Sequence, residues 1–98
     1  NEFTIQKLEE AFREEFGQHE FEASKKIEYL RKQAGSDGVL SQYSKAILDW
    51  DNAQAYKDKL FALETKEALG EKLAIEDIER KQKLKDAIFE SYVIIRDR

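Results

Sequence analysis

IQKLEEAFREEFGQHEFEASKKIEYLRKQA, residues 5–34, decides the fold of this chain. Within it Ile5, Leu8, Phe12, Phe16, His19, Ala23, Ile27, Leu30 and Ala34 follow one another at steps of three or four. The mean step is about 3.6, the repeat of a straight α-helix. A helix with one apolar stripe of that length must bury it against other helices. Running from Thr4 to Ala34, it would span about 45 Å.

Local signals agree with the stripe. Thr4 is placed to cap the helix, and Phe3 to staple onto Leu8. Glu9, Glu10, Glu14 and Glu15 crowd the first half, and Lys25, Lys26, Arg31 and Lys32 the second, the order the helix dipole favours. Gly17 interrupts the pattern at a cost of about 1 kcal/mol against alanine, and marks either a slight kink or a close helix contact. Gly35-Ser36-Asp37-Gly38 reads as the turn that ends the helix. Gly35 suits a left-handed position, and Ser36 or Asp37 caps the next helix.

Outward from there, a second helix is expected over about residues 39–69. Its first half presents Leu40, Tyr43, Ile47 and Trp50. After Asp51-Asn52 the apolar set moves a third of a turn round, to Ala53, Tyr56, Leu60 and Leu63. Either the helix bends there, or its second half is covered on two sides. Gly70 marks its end. A third helix is expected over about residues 74–95, burying Ile75, Ile78, Leu84, Ile88, Tyr92 and Ile95. The fold class is all-α: an antiparallel three-helix bundle, or a long helical hairpin plus a third helix, in a single domain spanning 1–98.

Composition narrows the function. The chain has 98 residues, 39% of them charged, no proline and no cysteine. Thiolate catalysis, disulfides and cysteine-based zinc sites are therefore excluded. The net charge is −4 and is mixed along the chain, so no basic face addresses nucleic acid. No run reaches the length of a membrane span. These features describe a soluble, cytoplasmic protein with no membrane and no nucleic-acid partner.

No constellation carries convincing chemistry. Glu15 and His19 share a face at a spacing that holds metals in carboxylate bundles, but the paired Glu-x-x-His pattern is missing and the chain has one histidine. Asp49, Asp51 and Asn52 lack the glycine and closing glutamate of a calcium loop. No serine or threonine has a base beside it in sequence pattern, and Gly35-Ser36-Asp37-Gly38 lacks the lysine of a phosphate loop. The expectation is a protein that is not an enzyme and carries no metal or other cofactor.

Three anomalies remain. Phe21 lies about 170° from the centre of the first stripe, and Tyr29 also leaves it, so the two form a candidate second strip. Lys81 and Lys85 interrupt the apolar side of helix 3, either laying their stems on the core or forming a basic notch for an acidic partner helix. Val93, Ile94 and Ile95 are apolar on every side of the helix end. The expected function is a non-enzymatic helical interaction module, a small adaptor, regulator or inhibitor. Its candidate partner-binding residues are Phe21, Tyr29, Lys81, Lys85, Val93 and Ile94. The alternative is a structural homo-oligomer, such as a homodimer, forming a joint bundle. A carboxylate/histidine metal-binding bundle is a remote third.

Overall fold

The computed structural model describes residues 4–34 and 37–98. It contains three α-helices: α1 (Ile5–Lys32), α2 (Asp37–Ala68) and α3 (Ile75–Asp97). All three pack against one another as an all-α three-helix bundle. The direction of each pairing follows from its contacts. Phe12 meets Phe61 and Glu20 meets Lys57, so α1 and α2 are antiparallel. Lys81 meets Glu67 and Arg98 meets Asp49, so α2 and α3 are antiparallel too. Glu15 meets Lys85 and Glu22 meets Arg96, which leaves α1 and α3 parallel.

The helix ends are built as the sequence signals require. Thr4 is extended, and its Oγ1 accepts from the Lys7 N–H at 3.1 Å. Gly70 takes φ = 91°, a left-handed conformation that a side chain penalises. This turns the chain so that the Glu71 N–H reaches the Lys66 carbonyl at 3.0 Å, while the Gly70 N–H reaches that of Glu67 at 3.1 Å. That pair of bonds is a Schellman termination of α2. The α1 helix closes two residues before Ala34, and α2 starts two residues before Val39. The Phe3 staple and the Gly35-Ser36 part of the turn lie outside the described residues.

The core follows seven-residue steps in α1 and α2 and three- and four-residue steps in α3. Phe16, Ala23 and Leu30 of α1 are buried, as are Ala46, Ala53 and Leu60 of α2, and Leu84, Ile88, Tyr92 and Ile95 of α3. A seven-residue step keeps one face turned inward over two turns. Small and large residues alternate across the seams. Ala53 adjoins Gln54 and Ala23 follows one turn after Glu20, the two side chains hydrogen-bonded to the Tyr92 hydroxyl. The alanines thus sit at the level of the largest buried ring. The α2 helix runs unbroken through Asp51-Asn52, both exposed, so the shift of its apolar set reflects cover from two sides, α1 and α3.

Some expected core positions are not core. Ile75 and Ile78 of α3 are 75% and 53% exposed. Lys81 already meets Glu67 in the last turn of α2, so α3 residues before it lie beyond the end of that helix and have no α2 side chain at their level. Ile5 and Leu40, in the first turns of α1 and α2, are exposed likewise. Among the described residues no helix is long and apolar enough to cross a membrane.

Candidate functional site

Phe21, singled out by its position off the stripe, stands at the lip of a groove between α1 and α2. The groove has a volume of about 720 Å³. Its floor carries the aromatic faces of Phe12, Trp50 and Phe61; its α1 wall runs Glu9, Arg13, Gly17, Glu20, Ser24, and its α2 wall runs Gln54, Lys57, Asp58. The bundle measures 52 × 26 × 15 Å between its backbone extremes, so the helices lie in a flattened array. The α3 helix covers one side of the α1/α2 pair, and the groove opens on the other.

A polar bridge joins the two walls of the groove. Lys57 Nζ donates to Glu20 Oε2 at 2.6 Å. The same carboxylate oxygen accepts from the Tyr92 hydroxyl at 3.4 Å, and Gln54 Nε2 donates to that hydroxyl at 3.5 Å. Burial holds the Tyr92 phenol neutral to well above its usual range, and the Glu20 charge adds to the effect. One cluster therefore ties all three helices beneath the groove.

The other anomalous residues scatter. Phe21 is 55% exposed, with Lys25 Nζ 4.6 Å above its ring. Tyr29 is 57% exposed under Lys26 Nζ at 5.8 Å, but it does not line the groove. Lys81 pairs with Glu67, and Lys85 lies 3.8 Å from both Glu15 and Glu64. Of the two readings of these lysines, the basic notch for an acidic partner helix finds its acid within the chain, from Glu67, Glu15 and Glu64. Val93 is half-buried and Ile94 exposed on α3, away from the groove lining.

His19 is half-buried, with its ring edge-on to Phe89 at 5.1 Å. Among the described residues no three acidic or histidine side chains converge as metal ligands. Sequence spacing alone missed Phe61, Lys57 and Asp58 as site residues, because a groove wall is set by two helices together. One signal was present: Glu9, Arg13, Gly17, Phe21 and Lys25 form a single i, i+4 ridge on α1. Comparison with protein-family models, curated proteins and solved structures returned no match for this chain.

Proposed function

We propose that the protein is a non-enzymatic helical interaction module, a small adaptor, regulator or inhibitor, that engages a protein partner through the α1/α2 face. The observation that carries this reading is Phe21. It is a large aromatic held more than half exposed at the rim of an aromatic-floored groove. Aromatic side chains are enriched at protein–protein interfaces, where a few anchors seated in pockets carry most of the binding energy. A groove between two helices accepts the apolar face of a third helix, and mixed charges on its walls set register and partner choice.

Affinity capture from source-cell lysate, with wild type and Phe21→Glu as paired baits, tests this. Phe21→Glu is expected to shift stability by no more than about 0.5 kcal/mol, as for an ordinary surface change. It is expected to weaken partner capture by roughly 30-fold, the scale of losing one hot-spot anchor. A stability loss of about 3–5 kcal/mol would mark Phe21 as a core residue and remove the reading. An unchanged captured set would remove it as well.

A further inference from the structure

We propose that the groove receives a second copy of this chain, the two α1 helices crossing antiparallel at Gly17 as a two-fold dimer. This rests on the reading of the α1/α2 face as a docking surface and names its occupant. The glycine is the first indication. Gly17 costs α1 about 1 kcal/mol of helix stability against alanine. A Cβ placed there would meet only Arg13 Cγ of its own helix, at the ordinary distance of 3.6 Å. Nothing inside the monomer needs the small residue, whereas a second backbone approaching that point does.

Charge complementarity along the ridge points the same way. A two-fold axis through Gly17 sets each position of the ridge against its mirror in sequence. Arg13 then faces the partner's Phe21, and Glu9 faces the partner's Lys25. The first pair is a cation over an aromatic face and the second an opposite-charge pair, and each occurs twice. Glu9, Arg13, Phe21 and Lys25 are all exposed in the monomer. Glu9 and Arg13 have no ion-pair partner among the described residues. Lys25 covers the Phe21 ring in the monomer. In the dimer the partner's Arg13 takes that place, freeing Lys25 to meet the partner's Glu9.

The shape of the groove completes the fit. Arg13 lines the groove together with Phe12 and Phe61, whose rings meet edge to face at 5.7 Å. The partner's Phe21, brought to Arg13, therefore enters the groove against those two rings, and the exchange is reciprocal. Anchor and receptor belong to one face, as a self-complementary interface requires.

Sedimentation of the purified chain at about 100 μM, well above a micromolar dissociation constant, tests the proposal. Wild type is expected at twice the 11.5 kDa of one chain. Glu9→Lys and Lys25→Glu are each expected to weaken the dimer by roughly tenfold or more, because each sets like charges opposite one another twice. The double variant Glu9→Lys/Lys25→Glu restores complementarity with itself and is expected to dimerise, but not with wild type. Gly17→Leu, whose Cβ meets only Arg13 Cγ at an ordinary distance and whose helix propensity exceeds that of glycine, is expected to be monomeric. A monomeric wild type overturns the proposal, and so does a dimer indifferent to the single charge reversals. Either result leaves the capture comparison with Phe21→Glu standing as an independent test of the docking face.

Discussion

Tyr92 shows how much one side chain decides here. Its ring is buried between the three helices, and its hydroxyl reaches the Glu20 carboxylate. Burial first, and the Glu20 charge second, keep the phenol protonated in the folded chain. The unfolded chain releases that proton near pH 10. Folding therefore binds a proton that unfolding gives up, and the stability this supplies is complete below about pH 10 and is lost as the pH rises beyond it. Tyr92→Phe is expected to cost about 1 kcal/mol at neutral pH and to flatten the fall in melting temperature from about pH 9 to pH 11. Thermal melts of the two proteins across that range check it. Which residues fill the core was largely legible at this scale: Phe16, Ala23, Leu30, Leu60, Ile88 and Ile95 all lie on the stripes read from spacing. Ile75 and Ile78 were not, because periodicity gives the side of a helix a residue occupies and not whether a neighbour extends to its level. The partners of Lys81 and Lys85 were hidden for a related reason, as Glu67, Glu64 and Glu15 are brought to them by folding.

Among the helices as units, the ends were the easiest features to read. Thr4 and Gly70 act through local backbone bonds, and such bonds need only neighbours in sequence. Gly70 has open space where a side chain would go, so Gly70→Ala tests the backbone alone. It is expected to destabilise the protein by about 1–2 kcal/mol, the cost of a left-handed alanine, measured by urea unfolding with an unchanged slope. The course of α2 was undecided in the sequence. A shifted apolar set is the mark of a bend and equally of a helix covered on two sides, and only the positions of α1 and α3 distinguish them. The far end of α3 follows the same pattern. Arg98 Nη2 donates to Asp49 Oδ2 at 2.9 Å and Nη1 to Gln42 Oε1 at 3.2 Å, tying α3 to the first half of α2.

For the bundle as a body, the groove lies where α1 and α2 meet on the side that α3 does not cover. The α3 helix sits on one side of the α1/α2 pair, and the opposite side keeps Phe12, Trp50 and Phe61 at the bottom of an open channel with Phe21 at its lip. The sequence pointed to Phe21 by its angle on the helix, but the channel it borders needs α2 to be placed and was not legible. That the α1/α2 face meets another protein can be read by photocrosslinking. A photoreactive phenylalanine analogue is placed at position 21, with the same group at the exposed Lys83 of α3 as its control, and both proteins are irradiated in source-cell lysate. A discrete heavier adduct is expected from position 21 alone, of twice the chain mass where the occupant is a second copy. No adduct from position 21, or the same adducts from both positions, would contradict a docking role for this face.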